Sequence, residues 1–175
     1  TVKRVFAPKV AGAWALQQAA AMAPLDTYLL FSSIAALIGG GGQSNYAAAN
    51  GMLDALGACR RVRAMNATSV EWGPWAAVGM AADESINARI QASGIGLISL
   101  EQGTLAFQAT LQPAVSGVMS LVVLTWSKFL SLLPEVPPLM ANYASRKGAV
   151  AAGGGGGEVK EGTLERSQDA LKATT

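Results

Sequence analysis

The chain has 175 residues, 51% of them apolar and 14% charged, with a net charge of +2. That length supports one globular domain with appendages, and the scattered basic residues lack the dense cationic face a nucleic-acid partner needs. With no histidine and a single cysteine, the chain cannot build a Ser-His-Asp or Cys-His nucleophile, a His-based metal site or an internal disulfide, so a reducing, cytoplasmic setting is expected. No stretch is long and apolar enough to span a bilayer; the nearest, residues 29–42, is interrupted by Ser32, Ser33 and a run of glycines. No signal peptide opens the chain. Its first residue is Thr, and it is expected to be a piece of a longer protein.

Residues 10–22 read as an alanine-rich helix, with Pro8 at its start and Pro24 ending it. Residues 27–33 form a short apolar run that reads as a buried strand closed by Ser33. A loop over residues 34–45 follows, holding Gly39 to Gly42, and Ser44 or Asn45 can cap the next helix. That helix runs to about residue 64, with Leu53, Leu56 and a packed Cys59 on its apolar side. Arg60, Arg61 and Arg63 read as its solvated, cationic end. Residues 68–72 are a second strand, and Gly73-Pro74-Trp75 forces a turn. Residues 84–91 suggest a short helix within a mixed stretch, and residues 101–111 a further one. A strand over 118–124 is rich in β-branched residues, with a helical turn or two after it.

Helices alternating with short apolar strands indicate an α/β fold, a Rossmann-like doubly wound parallel sheet with helices on its faces. In such folds the site lies beyond the carboxyl ends of the strands. Ser33 and the Gly73-Pro74 turn fall at such ends, and the helix carrying Tyr46 begins on the same side. Domain organisation follows: a folded part over 1–133, then a Pro/Gly-rich linker over 134–175 with Gly153 to Gly157 and a charged end. Residues 164–173 of that end read as a nascent helix.

Tyr46 and Asn50, four residues apart, share one helical face. Ser33, at the end of the neighbouring strand, can meet the phenol. A phenol so placed can hydrogen-bond a carbonyl oxygen and pass it a proton. Ketone reduction needs such a donor, because negative charge builds on oxygen as hydride reaches carbon. A tyrosine gives up its proton reluctantly at neutral pH, and a nearby ammonium eases this by stabilising the phenolate. Lys9 is available for that charge. Ser33 has a plainer reading as a strand-end cap, and Ser32 reads more readily as such a cap. Trp72 and Trp75 read as packing groups. Glu71, on a buried strand, needs a hydrogen-bonding partner or an exposed edge, and no role is assigned to it.

Phe31-Ser32-Ser33, Gly42-Gln43-Ser44-Asn45-Tyr46-Ala47-Ala48-Ala49-Asn50, Leu53-Asp54-Ala55-Leu56 and residues 67–75 together resemble the ketoreductase domain of modular polyketide synthases, within the short-chain dehydrogenase/reductase superfamily. The resemblance covers residues 9–133 and extends weakly to Trp126 and Phe129. Most short-chain reductases place lysine four residues after the tyrosine and asparagine on an earlier helix. Ketoreductases of polyketide and animal-type fatty acid synthases are similar to this chain in the reverse arrangement, Asn50 following Tyr46 and Lys9 preceding it. The resemblance implies Tyr46 as proton donor, Ser33 as the group polarising the ketone, Lys9 as the ammonium that lowers the pKa of Tyr46 and touches the cofactor ribose, and Asn50 as support for the proton relay. It implies NADPH as cofactor, faced by the backbone at Gly73 and Pro74.

The resemblance further implies reduction of a 3-ketoacyl thioester carried on the phosphopantetheine arm of an acyl-carrier domain, with neighbouring synthase domains as partners and no membrane or nucleic acid. The glycine-rich dinucleotide fingerprint is absent from this sequence. Gly39 to Gly42 follow a strand and precede a helix, as a phosphate cradle would, but their spacing does not match. The chain is therefore expected to be the C-terminal half of the domain and, in isolation, inactive. The competing readings are a non-catalytic structural or docking half-domain (or truncated fragment) of such a multienzyme, and a free-standing dehydrogenase of small alcohols. Leu30, three residues before Ser33, leaves the product configuration open.

Overall fold

The computed structural model describes residues 2–76, 84–112 and 116–144. A continuous helical run opens it: α1 (Val2–Phe6), a π-helical turn (Ala7–Ala11) and α2 (Gly12–Ala19). The expected start at residue 10 is thus corrected, because Pro8 lies inside the run. A proline there donates no N–H, and its ring crowds the carbonyl four residues back. A turn widened to π geometry relieves that crowding, and such turns recur at functional sites. Lys9 follows Pro8 within it.

Strand β1 (Leu29–Ser33) follows. The segment expected as an open loop contains a helical turn, α3 (Ala35–Ile38). The Ala35 amide donates to Ser33 Oγ at 3.3 Å, and Gly39 at φ 74° ends the turn in a conformation that favours glycine. The next helix, α4 (Ser44–Val62), has Gln43 rather than Ser44 or Asn45 at its N-cap. Asn45 Oδ1 instead accepts from the Tyr46 amide at 2.9 Å.

Strand β2 (Thr68–Trp72) lies between β1 and β4 (Val118–Leu121), all parallel, in the order β1-β2-β4. Every residue of β2 is buried, as expected for a strand covered on both faces. Helix α4 covers one face, where Leu53 and Leu56 pack with Ala13 and Leu30. On the other face Val70, Trp72 and Ile98 pack with Ala106 and Phe107 of α6 (Leu100–Thr110). Ser99 and Gln102 close the start of α6 with a reciprocal capping box. The doubly wound α/β architecture is present, and the sheet's two crossovers carry the helices.

Between β2 and α6 lie α5 (Glu84–Ala92) and β3 (Ile95–Gly96). The strand expected over 118–124 is broken: after Leu121 the chain leaves the sheet, and β5 (Val123–Leu124) pairs antiparallel with β3. Helix α7 (Trp126–Ser131) follows. Residues 135–175 form a separate unit. Its described part holds a 3-10 turn (Pro138–Met140) and α8 (Ala141–Ala144). The glycine tract 153–157 and the nascent helix over 164–173 lie outside the described residues. Among those residues no helix is long and apolar enough to cross a membrane.

Two expectations about α4 are overturned. Cys59 is exposed, because it lies between the buried positions Leu56 and Arg60 on the helix's outward side. Arg60 is buried, at 3% exposure, with its guanidinium 4.0 Å from the centroid of the Tyr28 ring. Its Nη1 donates to Gln17 Oε1 at 2.5 Å and its Nε to the Asn66 carbonyl at 3.3 Å. A planar cation can be buried on an aromatic face when its N–H groups find acceptors.

Candidate active site

The carboxyl ends of β1 and β2 lie side by side, with Ser33 in register with Trp72. The Ile34 amide donates to the Trp72 carbonyl at 3.0 Å, so the exits of both strands share one edge. Gly73 leaves β2 there, its amide donating to the Leu121 carbonyl at 2.7 Å, and Pro74 O accepts from the Ile98 amide at 2.8 Å. A Cβ on Gly73 would lie 3.0 Å from Val122 Cγ2 and 3.2 Å from Leu121 O. Glycine is what lets the backbone pass this close to its neighbour.

Lys9 reaches this edge from the π turn. Its Nζ donates to the Phe31 carbonyl at 3.0 Å and lies 5.6 Å from the centroid of the Tyr46 ring. Burial pushes the Lys9 ammonium below its ordinary range, and the negative charge of Asp54 opposes that shift. An ammonium against the face of a tyrosine is favourable in itself, through the ring quadrupole.

Asn50 lies one turn after Tyr46, fully buried at 0% exposure. Its Nδ2 donates to the Tyr46 carbonyl at 2.8 Å, while Oδ1 is buried without a hydrogen-bond partner. A buried acceptor left unpaired is uncommon and unfavourable, and such groups concentrate where a further donor is used.

The two serines trade the simple readings the sequence suggested. Ser32, expected as a cap, is buried and donates to the Asn50 carbonyl at 3.2 Å. Ser33, half-buried, is the one whose hydroxyl accepts from the amide of the following turn. That bond leaves the Ser33 O–H hydrogen free to donate elsewhere. Direct contacts thus join Lys9, Tyr46 and Asn50, while Ser33 and the Gly73–Pro74 turn lie at the adjoining strand ends, where the Ser33 hydroxyl meets the Ala35 amide.

Two groups near this edge went unassigned in the sequence. Asp54 continues the row Tyr46, Asn50 at a further four-residue step on α4. Its Oδ1 accepts from Ser69 Oγ at 2.7 Å. Glu71 is buried, at 5% exposure, and accepts a hydrogen bond from Ser120 Oγ; burial pushes its carboxyl above the ordinary range, against that hydrogen bond. The helical spacing was the available signal for Asp54; only the sheet register reveals Glu71 beneath it.

A protein-family model described as "KR domain" matches residues 1–77. Over 157 residues the chain is 40% identical to a phenolphthiocerol/phthiocerol polyketide synthase of Mycobacterium tuberculosis, spanning 87% of this chain and 7% of that protein. It is 35% identical to the 6-methylsalicylic acid synthase of Aspergillus terreus, again over 87% of this chain and 8% of the relative. The chain thus spans only a small part of the length of these relatives. Among solved structures, an A1-type ketoreductase superposes with a TM-score of 0.76 at 31% identity, covering 83% of this chain and 31% of that one. The first ketoreductase of the tylosin polyketide synthase gives a TM-score of 0.72, also at 31% identity, covering 83% and 33%. In sequence and in fold, this chain belongs to the ketoreductase domains of polyketide synthases.

Proposed function

We propose that the chain contributes the catalytic edge of an NADPH-dependent ketoreductase that reduces a 3-ketoacyl thioester, held on an acyl-carrier domain, to the 3-hydroxyacyl product. The observation that carries this reading is the Lys9 ammonium against the Tyr46 ring at the carboxyl end of a parallel sheet. Sequence similarity to polyketide synthases supports the setting, in which neighbouring synthase domains deliver and remove the substrate.

The residues present fit the nicotinamide–ribose end of the cofactor. Lys9 would hold the ribose there, having donors to spare beyond the one given to Phe31 O. When bound, NADPH supplies the hydride. Tyr46 donates the proton to the nascent alkoxide. Ser33 donates a hydrogen bond to the same oxygen and orients the ketone. Lys9 sets its positive charge against the Tyr46 ring, where it offsets the negative charge that develops as the proton leaves. Asn50, with Oδ1 seeking a donor, supports the return of a proton to Tyr46.

The test is Tyr46→Phe in the full-length synthase, assayed on a 3-ketoacyl thioester with NADPH. Loss of a positioned proton donor is expected to lower kcat by roughly 10²-fold or more. Unchanged turnover ends the proposal.

A further inference from the structure

Strand β1 is an edge of the parallel sheet, with β2 as its one strand neighbour among the described residues. Its ladder to β2 uses alternate residues. The Thr68 amide donates to the Tyr28 carbonyl at 2.9 Å, and the Ile34 amide to the Trp72 carbonyl at 3.0 Å. Tyr28, Leu30, Ser32 and Ile34 therefore aim their backbone groups at β2, while Leu29, Phe31 and Ser33 aim theirs at the open edge. Native edge strands are normally blunted by a charged residue, a proline or a bulge. Leu29-Leu30-Phe31-Ser32-Ser33, paired without interruption, carries none of these.

The Phe31 ring packs on the α6 side, its centroid 5.8 Å from that of Trp72 and 6.1 Å from that of Phe107, yet it stays 51% exposed. A large aromatic that joins an apolar cluster on one flank and meets water on the other marks a contact surface. The carbonyl of the same residue accepts from Lys9 Nζ at 3.0 Å. An outward strand carbonyl ordinarily meets the amide of the next strand, and here an ammonium takes that place. The opposite edge differs. Strand β4 ends at Leu121, and the chain then turns away to pair β5 with β3.

The occupant follows from symmetry, charge and length. The sheet is wholly parallel, which favours a parallel addition. A second copy docking here about a two-fold axis would pair β1 antiparallel with itself and bring two Lys9 ammoniums onto one edge. The chain covers 31% of the A1-type ketoreductase and 33% of the tylosin one, so most of a ketoreductase domain lies outside it.

We infer that the open edge of β1, with the Phe31 ring beside it, is the docking surface for a further parallel strand supplied by the remainder of the ketoreductase domain. That strand is short and apolar, as one covered on both faces must be, and its amide takes Phe31 O. Docking completes the site. Ser33 ends the strand that is covered, and the arriving amide competes with Lys9 for Phe31 O, returning a donor of the ammonium to the Tyr46 side. The effect on turnover rests on the reductase reading; the docking surface does not.

The test has two arms. In the first, hydrogen–deuterium exchange over residues 27–34 is compared between this chain and the full-length synthase. In the chain, the outward amides of Leu29 and Phe31 are expected to exchange fast while those of Leu30 and Ser32 stay protected. In the synthase the two outward amides are expected to slow by roughly 10²-fold or more. Unprotected outward amides in the synthase overturn the docking surface. Protection in the chain that grows with its concentration overturns the choice of occupant, because a second copy then covers the edge.

The second arm sets Phe31→Pro against Phe31→Ala. Both lose the ring, but only proline removes the outward N–H, which an edge strand tolerates and an inner strand does not. In the chain the two urea midpoints are expected to lie close together, and a much lower F31P midpoint overturns the edge assignment. In the full-length synthase, kcat of F31P is expected to fall roughly tenfold or more below that of F31A. Equal kcat overturns the inference, and this comparison decides even where the chain alone is too unstable to measure. A Tyr46→Phe synthase with full turnover would instead sink the reductase reading, and the exchange arm still judges the docking surface.

Discussion

The Lys9 ammonium lies 5.6 Å from the centroid of the Tyr46 ring while its Nζ is tied to the Phe31 carbonyl at 3.0 Å. A long, flexible cation is thereby fixed at both ends of its reach, on a π turn at one side and a strand carbonyl at the other. Burial disfavours its charge, so the chain holds Lys9 there at the expense of stability. A folded-state value below the ordinary lysine range means that the fold is favoured as Lys9 loses its proton, and stability from this group rises with pH just below that range.

Lys9→Met therefore separates the two roles of the residue. The methionine keeps the length of the side chain and removes the buried charge. The thermal midpoint of the chain is expected to stay level or rise near neutral pH, while kcat of the full-length synthase falls by roughly 10²-fold. Differential scanning calorimetry beside a turnover assay reads both. A large drop in midpoint would show Lys9 to be a packing residue.

Asn50 makes the complementary case. Replacing it with Ala removes the hydrogen bond to Tyr46 O and also the unpaired Oδ1. The lost bond destabilises, and relief of the buried acceptor and the better helix propensity of alanine offset it. The net change in unfolding free energy is expected to stay within about 1 kcal/mol, measured by urea denaturation. Asn50→Asp is expected to be much worse, because it places a carboxylate in a fully buried position one helical turn before Asp54. Equal stability of the two variants would contradict the buried, donor-seeking environment described for Oδ1.

The α/β alternation was legible because each strand is a short apolar run bounded by Gly, Pro or Ser, and strand β2 matches its expected bounds of 68–72. The row Tyr46, Asn50 was legible because helical spacing is a one-dimensional signal. What escaped was set by partners distant in sequence. Arg60 reads as a solvated helix end until Tyr28, Gln17 and Asn66 are brought around it. The break after Leu121 depends on β3, a two-residue strand with no periodicity of its own. Pro8 reads as a helix start because proline is common there, and no residue pattern announces the π turn that accommodates it inside the run.

The seat of α4 on the sheet depends on Gly57. A Cβ there would lie 2.9 Å from the Gly117 carbonyl oxygen and 3.2 Å from Ser69 Cβ, both on the sheet side. Backbone cannot yield as a side-chain tip can. Gly57→Ala is expected to lower stability by about 1–3 kcal/mol despite its better helix propensity, by pushing α4 outward. Because Tyr46 and Asn50 ride on that helix, turnover should fall with it. Urea denaturation and kcat together check this; a stabilised variant would mean that the helix has room to approach.

Cys59 is exposed, with no need for unfolding to reach it. Its neighbours Arg60 and Arg63 bring positive charge to the same end of α4. Under native conditions the thiol is expected to react with a small aromatic disulfide reagent as fast as it does in denaturant, within roughly threefold. Reaction that appears only on unfolding would restore the packed thiol the sequence suggested.

Arg60 offers the sharpest test of packing over charge. Arg60→Lys keeps the cation but loses the planar fork that serves Gln17 and Asn66 together and covers the Tyr28 ring. The substitution is expected to lower stability by about 1–3 kcal/mol, as for a buried charge deprived of acceptors. Burial already lifts the Tyr28 phenol above its ordinary range, and the Arg60 charge restrains that rise. Arg60→Met should therefore lift it further, read by the ultraviolet absorbance of the phenolate on alkaline titration. Combining Arg60→Met with Gln17→Ala should add little to the loss from Arg60→Met alone, since both remove the same hydrogen bond. Full additivity in that cycle would mean that the two side chains act separately.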